Sequence, residues 1–427
     1  MTMEIAALHS LFLESSGICT DTRKITPNCL FVALKGDRFD ANTFASDALA
    51  QGARAVLIDN PQYRVDDRTI VVADSLAKLQ DLAAYHREFL GLPILALTGS
   101  NGKTTTKELF NAVLSKKYKT GATVGNFNNH IGVPLTLLSF DEFTDLGIVE
   151  MGANHQREIA QLCEIAQPDY GFITNFGRAH LEGFGGFEGV IQGKSEMYDY
   201  LMQHHKSALV NLDDPIQSEK TIDMDRFTFG TSTEADVVFS DVSANPYVSL
   251  SFDGRQINSK LIGRYNASNI MAAVTVGRKF GVSDDDIVSA LENYTPSNNR
   301  SQIIQRDSAQ IILDAYNANP SSMKAAIENF AGLDSANPAA FLGDMFELGD
   351  DSLGEHEKIV DLVAGTNIQA YFVGKDFYAS RIDKPNFMFF ETFEQLRDHL
   401  ESSPVKADKI LIKGSRGMAL ERVMELI

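Results

Sequence analysis

The sequence predicts an α/β protein of three domains, and three observations support this prediction. With 427 residues, the chain is long enough for two to four domains of about 150 residues each. Short apolar runs alternate with segments of helix length, which is typical of parallel sheets covered by helices. A polar stretch with a proline, residues 294–300, interrupts this alternation. We expect a small mixed α/β domain at residues 1–83, a parallel-sheet domain at 84–296 and a third α/β domain at 297–427.

The first two predicted domains differ in the regularity of their patterns. In the first, the predicted strands are Leu30–Leu34, Ala53–Ile58 and Thr69–Val72, and a helix is expected at Ala45–Gly52. From Pro93 onward, regular apolar runs predict strands at Ile94–Leu97, Leu146–Met151, Tyr170–Thr174 and Ala208–Leu212. Alternation of apolar and polar residues predicts a hairpin appended to this sheet at Tyr247–Phe252. Helices are expected at Glu188–Gln203, Ala267–Phe280 and Asp284–Asn293.

In the third predicted domain, strands again alternate with helices. The predicted strands are Ile311–Asp314, Ala339–Gly343, Ala370–Val373 and Lys409–Lys413. The predicted helices are Ser321–Phe330, Glu355–Val363 and Arg416–Leu426. This order is typical of a Rossmann-like unit. Because neither this domain nor the first contains Gly-x-Gly-x-x-Gly, the sequence gives no support for a nicotinamide cofactor.

The composition argues against several classes of partner. The chain carries 38 Lys and Arg against 57 Asp and Glu, a formal charge of −19, so it lacks the positive surface that nucleic acids and anionic membranes attract. An anionic ligand must therefore be held by a local site. No apolar run approaches the roughly 18 residues of a membrane-spanning helix, and the first residues lack a signal-peptide pattern. Three cysteines without paired or metal-binding spacing suit a reducing compartment. We expect a cytoplasmic protein without membrane insertion.

A phosphate-binding loop is the sharpest local feature. The segment Thr98-Gly-Ser-Asn-Gly-Lys-Thr-Thr-Thr106 follows a predicted strand and opens a predicted helix. Its two glycines allow a tight turn, so that successive N–H groups and the helix N-terminus can face a polyphosphate. Lys103 would reach the β- and γ-phosphates, and the Thr104 hydroxyl would bind Mg²⁺. A glycine-rich turn without a ligand is the alternative. The nucleotide-binding residues expected in the loop are Gly99, Ser100, Asn101, Gly102, Lys103, Thr104 and Thr105.

Three residues outside the loop are candidates for the same site. Glu150 ends a predicted strand and can hold Mg²⁺ directly or through water, although a solvated strand cap is the alternative. His180 follows another strand at the same sheet edge, as a ligand, a phosphate contact or an inert loop histidine. Lys194 lies on the apolar face of its predicted helix, where an ammonium must reach solvent, pair with an acid or change chemically. One such change is a carbamate that binds Mg²⁺.

Ordered motifs run through all three predicted domains. Outside the phosphate loop they are Asp21–Arg23, Leu30–Asp40, Gly125–Pro134, Val149–Gly152, Ala179-His180, Gly193–Glu196, Asp314–Pro320, Leu342–Gly349 and Lys413–Met418. The loop Thr98–Thr105 has Leu97 where the usual phosphate-loop pattern begins with glycine. Together with this shortened loop, the motifs resemble the ATP-dependent Mur ligase family of cell-wall peptide synthesis over essentially the whole chain. The last three motifs are similar to those of the branch that transfers a dipeptide, and the Asp-Asn-Pro-Arg signature of the third-residue-adding branch is missing.

The resemblance implies a reaction with ATP and Mg²⁺. ATP would phosphorylate the terminal carboxylate of UDP-N-acetylmuramoyl-tripeptide, and the amine of D-alanyl-D-alanine would displace phosphate from that acyl phosphate. The catalytic residues that it implies are Lys103, Glu150, His180 and Lys194. The metal ligands that it implies are Thr104, Glu150, His180 and a carbamylated Lys194.

Further contacts follow from the resemblance. Asn269 would contact adenine, Arg300 would reach the ATP phosphates after domain closure, and Asp314 would lie near the nucleotide. The alternatives are a helix cap for Asn269 and an exposed linker arginine for Arg300. The expected substrate-binding residues are Thr22 and Arg23 for the uridine diphosphate, and Asn126, Asn128, Tyr316, Asn317 and Asn319. A turn role is the alternative for the last three.

Other functions stay open from the sequence. One is a related Mur ligase that adds a single amino acid, and another is a UDP-peptide-binding relative without catalysis. A P-loop kinase or GTPase is less well supported, because no Asn-Lys-x-Asp base-reading motif is present. We expect the enzyme to act as a monomer.

Overall fold

Three sheets follow one another along the chain, one in each predicted domain, and a short two-stranded ribbon accompanies the first. The computed structural model describes residues 3–36, 38–296, 302–306 and 309–427. Within these ranges, every helix is too short or too polar to cross a lipid bilayer. The predicted α/β class with three sheet-containing units is therefore confirmed.

The first unit contains a small parallel sheet. Its helices are α1 (Ile5–Leu13), α2 (Ala45–Ala50) and α3 (Ser75–Leu90). Its strands are β1 (Ile18–Cys19), β2 (Leu30–Val32), β3 (Lys35–Gly36), β4 (Phe39–Asp40), β5 (Ala55–Ile58) and β6 (Thr69–Val71). The order β1-β2-β5-β6 is parallel throughout, and β3 pairs with β4 as the ribbon. Helix α3 runs through the boundary expected after residue 83, so the domain limits remain a prediction.

A buried histidine pair joins α1 and α3 to the second unit. His86 Nε2 lies 3.0 Å from the Phe140 carbonyl oxygen and must donate to it. His86 Nδ1 is then the acceptor for the N–H at His9 Nε2, 3.0 Å away. Burial lowers the pKa of both rings, and the neighbouring His86 lowers the pKa of His9 further. Both histidines therefore fold in the neutral form.

Because of this pair, we predict that the protein loses stability when the pH falls below 6.5, the ordinary pKa of histidine. In that range the unfolded chain binds protons that the folded chain excludes, so each histidine can lower the unfolding free energy by up to about 1.4 kcal/mol per pH unit. Urea midpoints measured above and below this pH should show the loss, and His86→Gln should reduce it. Exchange of the exposed His205 for Gln is the control. An equally steep loss in His86→Gln would contradict the prediction.

The second unit is built on a nine-stranded sheet. Its strands are β7 (Ile94–Thr98), β8 (Thr120–Ala122), β9 (Leu146–Glu150), β10 (Tyr170–Ile173), β11 (Ser207–Asn211), β12 (Arg226–Gly230), β13 (Val237–Ala244), β14 (Tyr247–Phe252) and β15 (Arg255–Ile262). Its helices are α4 (Lys103–Leu114), α5 (Gly132–Leu137), α6 (Glu158–Ala166), α7 (Leu181–Phe184), α8 (Phe187–Gln203), α9 (Pro215–Lys220), α10 (Tyr265–Lys279) and α11 (Asp284–Asn293).

The strand order explains where a site can form. The sheet runs β15-β14-β13-β12-β11-β10-β7-β9-β8, parallel from β13 to β8 and antiparallel at β13-β14-β15. The predicted hairpin is thus part of a three-stranded antiparallel extension. Strand β7, which carries the phosphate loop, lies between β9 and β10, so the loops after all three strands meet at one edge. The apolar residues of α4, which include Leu109, Phe110 and Val113, pack into one core with α10 and α11.

The third unit has a six-stranded sheet in the order β16-β17-β21-β18-β19-β20. Its strands are β16 (Gln302–Arg306), β17 (Ala309–Asp314), β18 (Pro338–Gly343), β19 (Gln369–Val373), β20 (Phe387–Phe390) and β21 (Lys409–Lys413). Its helices are α12 (Pro320–Ala331), α13 (Ser352–Ala364), α14 (Lys375–Ala379) and α15 (Phe393–Ser402). All strand pairs are parallel except β16 with β17.

One predicted helix of this unit is wrong. The segment expected to be helical at Arg416–Leu426 forms two short 3₁₀ helices, Arg416–Met418 and Leu420–Glu425. They are separated by Ala419, whose φ of +45° is incompatible with a continuous right-handed helix. The apolar spacing still serves the fold, because Leu420 and Val423 are buried in the core of the third unit.

Candidate active site

A cavity of about 860 Å³ lies where the second and third units meet. One wall includes the loops after β7, β8, β9 and β10 and the start of α10. The other includes the loop after β17, the start of α12 and the last residue of β21. The predicted residues that line it are Ser100, Asn101, Gly102, Lys103, Thr104, Thr105, Asn126, Asn128, Glu150, His180, Asn269, Asp314, Tyr316, Asn317 and Asn319. The structure thus brings residues from distant parts of the sequence to one site.

The two glycines of the phosphate loop occupy positions that a side chain would block. Gly99 has φ +142°, and a Cβ there would lie 1.9 Å from the Thr174 hydroxyl oxygen. Gly102 has φ +81°, and a Cβ there would lie 2.9 Å from Oδ1 of Asn269. Asn269 is the fifth residue of α10 and donates to Asn266, so it does not cap the helix. Its contact with adenine remains a prediction, and the structure places it against the loop.

Not all amides of the loop are available to a phosphate. The Ser100 N–H donates to the backbone oxygen of Asn175 at 3.1 Å, and the Asn101 N–H donates to Asn175 Oδ1 at 3.1 Å. Asn175 Nδ2 and the Thr174 hydroxyl both donate to the Asn101 carbonyl oxygen, at 3.0 and 2.6 Å. The amides of the first turn of α4 have no acceptor within their own helix, and amides in this position suit an anion.

Asn175 was missed by the sequence analysis as a functional residue, although it directly follows the strand beside the phosphate loop. We expect Asn175→Ala to weaken ATP binding roughly 10-fold or more, because two hydrogen bonds that hold Asn101 are lost. Calorimetric titration with ATP measures this change. Asn293→Ala, which alters an exposed asparagine outside the cavity, is the control. Unchanged ATP affinity in Asn175→Ala would contradict the role.

Glu150 is held by a network of buried polar groups. Its side chain accepts a hydrogen bond from Asn128 Nδ2 at Oε1 (2.8 Å), and its N–H donates to the Thr123 hydroxyl (2.9 Å). Thr123 is in turn fixed by Lys107, whose Nζ donates to its carbonyl oxygen at 2.9 Å. Glu150 is 1% exposed, and its Oε2 has no hydrogen-bond partner within the described residues. The strand end is therefore not a solvated cap, which was the alternative.

The side-chain oxygen atoms of Thr104 and Glu150 fit a magnesium ion. The Thr104 hydroxyl and the Glu150 carboxylate both line the cavity, and Mg²⁺ prefers such oxygen ligands. The buried, unpartnered Oε2 of Glu150 is the atom that a cation would satisfy. The part of the chain that the structure describes contains no group of three or more His, Cys, Asp or Glu side chains able to hold a metal by themselves. Other ligands would have to come from phosphate oxygens, water or a modified side chain.

Lys194 is fully buried in α8 and does not reach solvent. Its Nζ has no hydrogen-bond partner in the described structure and lies 5.3 Å from the centre of the Phe184 ring. Burial lowers the pKa of the amine well below its ordinary range, and the nearby Lys103 lowers it further. Two of the three expectations, reaching solvent and pairing with an acid, are therefore not observed. Lys194 lies close to the phosphate loop without lining the cavity.

His180 lines the cavity and contacts the third unit. Its Nδ1 is hydrogen-bonded to a carboxylate oxygen of Glu347, in the loop after β18. The hydrogen bond from His180 lowers the pKa of Glu347. His180 therefore links the second and third units, and its role as a metal ligand or phosphate contact remains a prediction. Glu347 belongs to a motif that the sequence analysis noted without assigning it a role.

The third unit contributes a pair of opposite charges. Asp314 and Lys413 are register partners at the ends of β17 and β21, and Lys413 Nζ donates to Asp314 Oδ2 at 2.6 Å. Lys413 also donates to the Asn317 carbonyl oxygen at 3.2 Å. Asn319 caps α12 through Ser322, as the turn alternative expected, and its Nδ2 donates to Asn101 Oδ1 at 2.8 Å. The third unit therefore contacts the phosphate loop directly.

Two of the predicted substrate-binding residues belong to the first unit. Thr22 and Arg23 lie in a short 3₁₀ helix of the first unit, and neither lines the cavity. The Arg23 guanidinium is exposed and forms a bidentate pair with Asp21, at 2.9 and 2.8 Å. The predicted role of Arg300 falls outside the described residues.

Comparisons with known proteins agree with this architecture. Three family models match the chain. The model "Mur ligase family, catalytic domain" matches residues 14–87, and "Mur ligase middle domain" matches residues 97–277. The model "Mur ligase, glutamate ligase domain" matches residues 299–416. A UDP-N-acetylmuramoyl-tripeptide–D-alanyl-D-alanine ligase from Bacillus subtilis is 35% identical, over 96% of this chain and 92% of its own. The chain belongs to the Mur ligase family.

Further relatives of this Mur ligase support the same assignment. The Escherichia coli ligase of the same name is 34% identical over 98% of this chain and 95% of its own. A crystal structure of MurF from Acinetobacter baumannii is 32% identical, covers 97% of both chains and gives a TM-score of 0.87. MurF ligase from Thermotoga maritima, solved in complex with ADP, is 27% identical, covers 97% of both chains and gives a TM-score of 0.85.

Proposed function

We propose that this Mur ligase joins D-alanyl-D-alanine to UDP-N-acetylmuramoyl-tripeptide at the expense of ATP, in the synthesis of peptidoglycan precursors. The observation that carries the proposal is the cavity between the second and third units. There, a phosphate loop, the partly unsatisfied carboxylate of Glu150 and the Asp314–Lys413 pair face one space. The full-length similarity to ligases of that name supports the choice of substrates.

The chemistry requires two anions to meet. A carboxylate is a poor electrophile, and phosphorylation by ATP gives it a good leaving group. Lys103 and the N-terminus of α4 supply positive potential for the transferred phosphoryl group. The Lys103 Nζ lies 2.7 Å from the Gly99 carbonyl oxygen. The dipeptide amine then attacks the acyl phosphate and expels phosphate. Contact of the third unit with the loop would exclude the water that hydrolyses such an intermediate.

Mg²⁺ is part of this proposal, because Thr104 and Glu150 supply donors that suit it. When bound, it would neutralise phosphate charge. Lys194 would contribute to metal binding as a carbamate. Its uncharged amine would react with CO₂, which forms an N–C bond and releases a proton. With His180, that carbamate would serve a second metal.

The remaining predicted contacts complete the proposal. Thr22 and Arg23 would hold the uridine diphosphate on the first unit, and Asn126 and Asn128 would face the sugar-peptide. Tyr316, Asn317 and Asn319 would border the dipeptide. We also propose that the enzyme acts as a monomer and that the cytoplasm is its place of action.

A substrate-exchange assay tests the function. The protein is incubated with ATP, Mg²⁺ and UDP-N-acetylmuramoyl-tripeptide, and both phosphate release and the pentapeptide product are measured. D-alanyl-D-alanine should start both phosphate release and product formation. D-alanine alone, or the amino acid of the tripeptide's third position, should start neither. Phosphate release that does not depend on the dipeptide, or product formed with a single amino acid, would overturn the proposal.

A further inference from the structure

Two strained residues meet across the boundary between the second and third units. His180, just before α7, has φ +54°, and Glu347, in the loop after β18, has φ +62°. Neither is glycine, so both adopt, at a cost in free energy, a backbone conformation that L-residues seldom adopt. Their side chains form a hydrogen bond, and the Glu182 N–H donates to the Glu347 carbonyl oxygen at 3.3 Å. Both the backbone and the side chain of Glu347 thus dock at the start of α7.

The loop that carries Glu347 is fixed from within the third unit. The Met345 N–H donates to Nε2 of His356 at 3.0 Å, and the Phe346 N–H donates to the Ser415 hydroxyl at 2.9 Å. His356 is fully buried, and its Nδ1 is hydrogen-bonded to the Ser352 carbonyl oxygen at 2.7 Å. Glu347 is therefore presented to His180 by a rigid support and not by a free surface loop.

We infer that Glu347 is a positioning residue, which fixes the tautomer and orientation of the His180 ring once the third unit is docked. An ionised carboxylate can only accept, so His180 must donate from Nδ1, and in the neutral ring Nε2 then carries the lone pair. His180 lines the cavity and Glu347 does not, so Glu347 acts through the histidine. The inference rests on the proposed function and adds that the third unit completes the site through this pair.

The test compares two glutamates that bridge the same units. Glu347→Gln replaces an obligate acceptor with an amide that can accept or donate, so the tautomer is no longer imposed. Glu355→Gln removes the ion pair with Arg178, 3.0 Å in length, which crosses the same boundary away from the cavity. We expect kcat of Glu347→Gln to fall about 10- to 100-fold with KM values within about 3-fold of wild type. Glu355→Gln should stay within about 3-fold of wild-type kcat.

Nitrogen-15 NMR of labelled histidine supplies a readout that does not depend on turnover. In wild type, the His180 signals, identified by their loss in His180→Gln, should report a proton on Nδ1, and Glu347→Gln should shift them towards the other tautomer. Equal loss of kcat in both glutamate variants, or an unchanged tautomer in Glu347→Gln, would overturn the inference. Wild-type protein that fails to turn over the dipeptide would instead contradict the proposed function, while the NMR result would still decide the role of Glu347.

Discussion

Lys103→Ala should lose ATP-dependent ligation by about 10²- to 10³-fold while it still binds the UDP-linked substrate. Lys103 begins α4 and lines the cavity beside Thr104, so its ammonium is the cationic side chain of the loop that can follow a transferred phosphoryl group. The residues predicted to hold uridine diphosphate, Thr22 and Arg23, belong to another unit. Removal of the charge should therefore affect the chemical step and not the binding of that substrate.

Phosphate release and calorimetric binding of the UDP-linked substrate measure the two quantities separately. Lys116→Ala is a matched control, because Lys116 is an exposed lysine just beyond the other end of the same helix. It should keep turnover within about 2-fold of wild type. If Lys103→Ala kept more than a tenth of wild-type turnover, the loop would not be the catalytic phosphate site.

The sequence predicted the parts of the site that depend on one strand and its loop. Gly99, Gly102 and Glu150 follow buried apolar runs, and parallel strands with short connections deliver their carboxyl ends to one edge. The fold class followed from the same alternation. The C-terminal helix was predicted wrongly, because the apolar spacing of Leu420 and Val423 suits an α-helix as well as two 3₁₀ turns around Ala419.

Contacts between units could not be read from the sequence. The pairing of His180 with Glu347 joins residues 167 positions apart, and that of Asn101 with Asn319 joins residues 218 apart. Neither pair shares a strand, a helix face or a spacing rule that would connect its members. Such contacts depend on how the second and third units pack against each other. Asn175 is different, since a polar residue after a strand that neighbours the phosphate loop is a signal that could have been used.

Lys194→Met should abolish most ligation without destabilising the protein. The Lys194 Nζ is buried and has no hydrogen-bond partner among the described residues, so an apolar side chain of similar length can replace an unmodified amine there. We therefore expect an unfolding midpoint equal to or above that of wild type. Turnover should nevertheless fall by about 10²- to 10³-fold, because the proposed carbamate cannot form on methionine.

Lys107→Met provides the contrast, because Lys107 is also buried and does have a hydrogen-bond partner. Its Nζ donates to the Thr123 carbonyl oxygen, and its loss should cost about 1 to 3 kcal/mol of unfolding free energy. Carbon-13 NMR of wild type in labelled bicarbonate should show a carbamate signal that is missing from Lys194→Met and present in Lys107→Met. Full activity of Lys194→Met, or no carbamate signal in wild type under turnover conditions, would show that the buried amine acts in another way. Loss of both activity and stability in Lys194→Met would indicate a structural lysine, and the two measurements together separate these outcomes.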